Sequence, residues 1–374
     1  ESRGFPLVIS PDDAAGASLE ALAEWVETHG QTIDAWTLAY GALLFRGFAP
    51  ATSPTSSSPS AGSPTAAAYE RVVARLVSPL GLADFYLGTS PRAPVSGSRH
   101  VFTASEFAPW KVVPPHCEMS FLSSPPRLIS FFAQSIPHDL WGGQTPLVDM
   151  QAVAREMEEE VAEAFAAGGI RYIRRYPSAA SSHPADTLDP FKTKSWQDMF
   201  AHLQPLDTAA INASDAAEEA RRQGFEASLE ARDVLKLTHE LPAFRSHPSS
   251  GERVWHNHLA VLHSRSWADE FLHAAYVLRS ARHAACAFAF YLLDMASHAL
   301  VGAEGLSQHV THHGGSPIRS SHTWHVRRLI WRHSVLAPWV QGDLVLLDNA
   351  RIAHARMPFS ASGPRNLWVA WTSE

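Results

Sequence analysis

The sequence predicts an α+β fold: a β-sheet sandwich or barrel with helices packed around it and inserted into it. Two observations lead there. Apolar runs of strand length stand towards both ends of the chain, at 42–48 (ALLFRGF) and 127–134 (RLISFFAQ), and again at 343–348 (DLVLLD) and 366–371 (NLWVAW). Between them, apolar residues recur at helical spacing in segments bounded by capping residues. A chain of 374 residues, 45% of them hydrophobic, can bury a large core. With no internal repeat, residues 1–374 read as a single domain.

Taken in order, Ser18 caps a short helix carrying Leu19, Leu22 and Val26, which Gly30 stops. The run at 42–48 follows as a buried strand. Residues 51–68 are almost all Ser, Pro, Ala, Thr and Gly, a low-complexity loop with nothing to pack. After the strand at 127–134, Asp149 caps a helix whose Val153, Met157, Val161 and Phe165 fall four apart, and Gly168 and Gly169 end it. Asp215 and Glu218 form a capping-box pattern for a helix ended by Gly224. Residues 268–301 are Ala-rich and helical, an insertion. Their apolar stretch from Ala284 to Leu293 and on to Val301 contains Asp294 and His298, and reads as a buried helix rather than a membrane span. The strands at 343–348 and 366–371 complete the chain.

Composition removes several classes of function. Charged residues make up 18%, the net charge is -7 and no long basic run occurs, so no nucleic-acid partner is expected. Two cysteines, Cys117 and Cys286, give neither a disulfide framework nor a zinc pattern. A reducing compartment fits this, the cytoplasm most simply. An organelle is the alternative, since the chain starts at Glu1 rather than Met.

An oxygen-activating ferrous site needs two His and a carboxylate on one face, with the remaining positions open. Residues i and i+2 of a strand point the same way, and His116-Cys117-Glu118 is the only His-x-Glu or His-x-Asp here. Alone it is weak evidence, because about one such match arises by chance. Cys117 would face the other side and is not expected to be a ligand. A second His must come from elsewhere. His354, just past the apolar run at 343–348, is well placed to face a cavity; His256 and His258 compete. Arg365, at the head of the last strand, can grip a carboxylate with two parallel hydrogen bonds. Thr145, in the loop Gly142-Gly143-Gln144-Thr145-Pro146, can add a hydroxyl donor.

Together these residues resemble the TauD/TfdA-like iron(II)/2-oxoglutarate dioxygenases, most nearly the plant-type clavaminate synthase-like proteins. The matching stretches run in order along the chain: FPLVISP from Phe5, LLFRGF from Leu43, PRAPVSG from Pro91 and VFTASE from Val101. HCEMS from His116, GGQTPLVD from Gly142, RVWHNH from Arg253, GDLVLLDN from Gly342 and the segment from His354 to Trp371 follow. The resemblance implies a double-stranded β-helix (jelly-roll) core with surrounding helices. It implies Fe(II) on His116, Glu118 and His354, and 2-oxoglutarate as co-substrate held by Thr145 and Arg365. Many relatives have an Arg pair where this chain has Arg365-Asn366, which makes Arg356 the reserve clamp.

The implied activity is hydroxylation of a small-molecule substrate with release of succinate and CO2. Glu118 favours hydroxylation, desaturation or cyclisation over halogenation, because related halogenases lack that carboxylate. Candidate substrate-lining residues are Trp255, His256, Asn257 and Arg356. The competing readings are a cupin-type metal enzyme that uses no 2-oxoglutarate and a non-catalytic jelly-roll binding protein.

Overall fold

The computed structural model describes residues 4–13, 16–49, 65–84, 92–104, 107–182, 195–200 and 212–373. Of the low-complexity stretch, 51–64 lie outside the described residues, as do Pro91, Ser105 and Glu106 of the matched motifs. The last residues of that stretch are not loop. Thr65 accepts a hydrogen bond from the Ala68 N–H and caps a helix over Ala66–Leu76, in which Ala66 and Ala68 are buried.

Helices and sheets are mixed, as expected. A six-stranded sheet is ordered Leu7–Ile9, Ala42–Phe45, Leu344–Asp348, Leu128–Ser135, Asn366–Trp371, Phe102–Thr103. Only its first pair is parallel. Its alternating side chains serve two cores. Leu344 and Leu346 pack with Leu22, Val26, Tyr69 and Val72 of the two N-terminal helices. Val345 and Leu347 face the other way, into a core shared with Leu147, Val148, Ile352 and Ala353. Those last residues belong to a four-stranded antiparallel sheet ordered Ser334–Val335, Leu147–Asp149, Ile352–Arg356, Val113–His116. Burial on both faces explains why LVLLD reads as an unbroken apolar run. A further antiparallel sheet, Gln308–Thr311, Ile170–Tyr176, Val234–Leu241, Glu226–Glu230, carries the middle of the chain.

Three expectations about helix boundaries need correction. The first helix does not stop at Gly30 but runs Leu19–Tyr40, kinked at His29, because Ile33 and Thr37 continue its buried face. Its true end is Gly41 at φ 74°, whose N–H bonds to the Thr37 carbonyl. The segment capped by Asp149 is two helices, Met150–Arg155 and Glu159–Gly168. The break falls at Glu158, extended at ψ 138° with its N–H given to His325 Nε2 at 3.1 Å. Val153, Met157, Val161 and Phe165 are nonetheless all buried. The capping box before Gly224 is Asn212 with Asp215, one helical turn earlier than expected.

The 268–301 stretch is a hairpin of helices, Ser266–Leu278 and Ala281–Val301, broken at Arg279 with φ 49°. The second helix is not buried. Among its residues only Ala287 and Asp294 are, since a helix packed side-on against one neighbour covers a single stripe.

Candidate metal centre

His116 ends the Val113–His116 strand, and His354 sits mid-strand in Ile352–Arg356. Strand pairing puts them directly opposite each other, their rings 4.6 Å apart. Glu118 arrives by a different route from the one expected. The strand stops at His116, and Glu118 lies in the following turn, just before Met119 at φ 53°. Asn349 holds that turn. Its Oδ1 accepts the Glu118 N–H at 2.6 Å, and its Nδ2 donates to the Glu118 and Pro126 carbonyls at 2.9 and 2.7 Å. One ligand atom from each of His116, Glu118 and His354 lies within 4.8 Å of the others, and all three residues are buried. Glu118 Oε2 is 3.4 Å from His354 Nε2.

The protonation states suit ligation. His116 donates Nδ1–H to the Pro114 carbonyl at 2.7 Å, which leaves the Nε2 lone pair for an ion. Burial, reinforced by His354, lowers the His116 pKa to about 4, so the ring is neutral at neutral pH. Burial alone would raise the Glu118 carboxyl; Arg92 and the two imidazoles outweigh it and hold it well below the usual range. Two imidazoles and one carboxylate, with other positions left to small ligands, are the donor set that ferrous iron takes. The residues fit the ion.

The competing histidines are elsewhere engaged. His256 donates Nε2–H to the Asn349 carbonyl at 3.2 Å, and His258 Nδ1 pairs with Ser120 Oγ at 3.0 Å. Cys117 is fully buried in the core, and burial pushes its thiol pKa up. Neither that thiol nor the two histidines joins the cluster among the described residues.

Arg365 and the Gly142–Pro146 loop do meet. Arg365 Nη2 donates to the Gly143 carbonyl at 2.7 Å, and its guanidinium stacks 5.3 Å over Phe359. A Cβ on Gly143, itself at φ 71°, would stand 3.0 Å from Arg365 Nε. That nitrogen is buried with no hydrogen-bond partner, and no carboxylate pairs with Arg365 among the described residues. Burial, then the nearby Arg356, lowers the Arg365 pKa to about 9. Arg356, the reserve clamp, donates its Nη1 and Nη2 to the Phe107, Ala108 and Lys111 carbonyls at 2.8, 2.8 and 2.9 Å. Thr145 Oγ1 accepts from Trp339 Nε1 at 3.0 Å and lines a small cavity with Phe131, whose ring is 4.9 Å from that of His354.

The sequence matches the model for "Taurine catabolism dioxygenase TauD, TfdA family" over residues 3–371. The chain belongs to the TauD/TfdA family. Among curated relatives, the dapdiamide synthesis protein DdaC of Enterobacter agglomerans is 24% identical over 88% of this chain and 81% of its own. A clavaminate synthase-like protein of Arabidopsis thaliana is 25% identical over 96% and 91%. The structure of PvcB, described as an Fe, alpha-ketoglutarate dependent oxygenase from an isonitrile synthetic pathway, covers 98% of this chain and 85% of its own at 14% identity and TM-score 0.48. AAD-2 in complex with Mn(II) and N-oxalylglycine covers 100% and 96% at 12% identity and TM-score 0.46. As a member of that family it is a dioxygenase of the non-haem iron(II), 2-oxoglutarate-dependent class.

Two residues beside the candidate ligands escaped sequence reasoning. Arg92 Nη2 lies 2.5 Å from Glu118 Oε2, with both side chains almost wholly buried, and its guanidinium sits 5.4 Å over Trp371. Asn349 is the other. Both stand inside matched motifs, PRAPVSG and GDLVLLDN, but nothing local marks either as facing the metal cluster.

Proposed function

We propose that His116, Glu118 and His354 hold Fe(II), that Arg365, assisted by Thr145, binds the distal carboxylate of 2-oxoglutarate, and that the enzyme hydroxylates its substrate with release of succinate and CO2. The observation that carries this is the pairing of a buried three-donor cluster with a buried arginine whose Nε lacks a partner. An anion at Arg365 would satisfy that nitrogen and favour the charged guanidinium that burial disfavours. The bound iron and its co-substrate supply the oxidising chemistry. The chain's own work is to keep His116 neutral, keep Glu118 ionised, fix both by backbone contacts and exclude water.

The six-stranded sheet and the His-bearing sheet share one core, and we read them as the two halves of a jelly roll, within one domain spanning the chain. Both cysteines are unpaired, which supports a reducing compartment, the cytoplasm most simply. Trp255, His256 and Asn257, the expected lining residues, are buried, and Trp255 borders a cavity of about 10 Å³ with Leu259 and His263. A cavity of about 380 Å³ lies elsewhere, lined by Met119, Leu122, Ser123, Arg222 and Trp371. Met119 follows Glu118 directly and Trp371 lies under Arg92, so this is the space we assign to the substrate.

Anaerobic addition of Fe(II) and 2-oxoglutarate tests the assignment through the visible charge-transfer band of the chelate. The band should form in the native chain and vanish in His116→Ala. In Arg365→Ala it should persist but need about 10- to 100-fold more 2-oxoglutarate. No band in the native chain would sink the proposal. Iron binding without 2-oxoglutarate-dependent succinate would point to the cupin-type alternative.

A further inference from the structure

The helix Ala281–Val301 holds an 18-residue window with mean hydropathy 1.5, yet only 11% of that window is buried. Its inner stripe is firmly seated. Phe290 stacks on Phe271 at 5.3 Å, Tyr291 donates to Asp269, and Asp294 pairs with Arg265 at 3.3 Å. Asp294 is also the only Asp, Glu, Lys or Arg between His283 and Val301, and it is turned inward. The outward face therefore carries no acidic or basic side chain other than imidazole over 19 residues.

That face has a pattern. Ala285, Phe288, Leu292, Met295 and Ala299 are all exposed and spaced three and four apart, the seam of a heptad helix. Phe288 is 65% exposed, and Leu300 83%. Across the hairpin, Tyr276 is 85% exposed beside Leu272 and Val277. Nine large apolar side chains stand out from the two helices. At roughly 100 Å² each they offer on the order of 900 Å², against about 800 Å² that each partner gives to a standard interface. Solvent-facing patches on monomers seldom reach that size.

We infer that the Ser266–Leu278/Ala281–Val301 hairpin is a dimerisation surface, its occupant the same hairpin of a second copy of this chain, the four helices forming a two-fold bundle. The seam is self-complementary in the sense an isologous contact requires: large residues in the middle, alanines at both ends where backbones can approach. A lipid surface is the poorer fit. A helix lying on a membrane wants basic residues along its polar flank, whereas this flank is buried against protein and the chain carries a net charge of -7. Nor is the helix free to span a bilayer, since Phe290, Tyr291 and Asp294 bind it side-on to the helix before it, and the Gln308–Thr311 strand soon after it pairs into the middle sheet.

Sedimentation equilibrium of the full chain, without detergent, should give a monomer–dimer equilibrium. The double substitution Phe288→Asp/Leu292→Asp should raise the dissociation constant by more than about 30-fold. Far-UV circular dichroism and iron binding should stay unchanged. Met295→Lys, a milder change on the same exposed seam, should weaken the dimer in the same direction if the double variant misfolds. A native chain that stays monomeric at every concentration, or a dimer indifferent to these substitutions, overturns the inference. So does a monomer that floats with phosphatidylcholine vesicles, which would assign the face to lipid.

Discussion

Asn349 shows how much of this centre depends on a residue that would touch no ligand. Its amide side chain satisfies the N–H and carbonyl of Glu118 and the carbonyl of Pro126, all in the interior. It thereby fixes a turn that has lost its strand and that must pass through the left-handed region at Met119. Asn349→Ala removes three hydrogen bonds to backbone groups in the interior. We expect a loss of about 3 kcal/mol in unfolding free energy and about 10-fold weaker Fe(II) binding. Denaturant titration reads the first and anaerobic metal titration the second. Iron affinity unchanged in a destabilised variant would leave Asn349 a structural residue only. Arg92 acts on the same carboxylate through charge: its guanidinium keeps Glu118 ionised in a site where burial would otherwise protonate it.

At the level of elements, two glycines in one helix distinguish what spacing can show from what contacts decide. Gly30 looks like a stop but lies inside the Leu19–Tyr40 helix, with nothing within 4 Å of where a Cβ would be. Gly30→Ala should stabilise the protein by up to about 1 kcal/mol. Gly41 is the real terminus, at φ 74°, and a Cβ there would stand 2.6 Å from Ile352 Cδ1. Gly41→Ala should destabilise by about 2 kcal/mol, from left-handed strain and from pressure on the strand that carries His354. Thermal midpoints of the two variants should therefore move in opposite directions; a common direction would refute the assignment of the helix end. The strands were more legible than the helix ends. LVLLD and NLWVAW announce themselves because both faces of that sheet are covered, and apolar content then marks the whole segment.

For the molecule as a whole, buried imidazoles set the response to acid. Burial, with neighbouring cations or imidazoles, lowers His116, His256, His273 and His309 to about 4. In the unfolded chain each would titrate near 6.5, so between about pH 6.5 and 4 the unfolded state binds more protons and stability falls as pH falls. Glu118, lowered in the fold, adds to the loss at its acid end. Glu270, raised by burial, works the other way but is a single group. The denaturation midpoint of the metal-free protein should drop between pH 7 and pH 5, and a flat profile would mean that these rings are already charged in the native state.

The amino-acid sequence on its own determined the short-range facts: which runs are apolar on both faces, where Ser18 and Asp149 cap helices, and that a His-x-Glu and an isolated Arg365 flank such runs. These depend on a few neighbouring residues and their backbone preferences. Tertiary structure decided which of those residues meet. Strand pairing placed His354 against His116, Asn349 swung Glu118 beside them, and Arg92 came to the same carboxylate from a distant loop. The helix Ala281–Val301 makes the same point from the surface: hydropathy measures how strongly a segment avoids water, whereas the packing around it decides what covers each face.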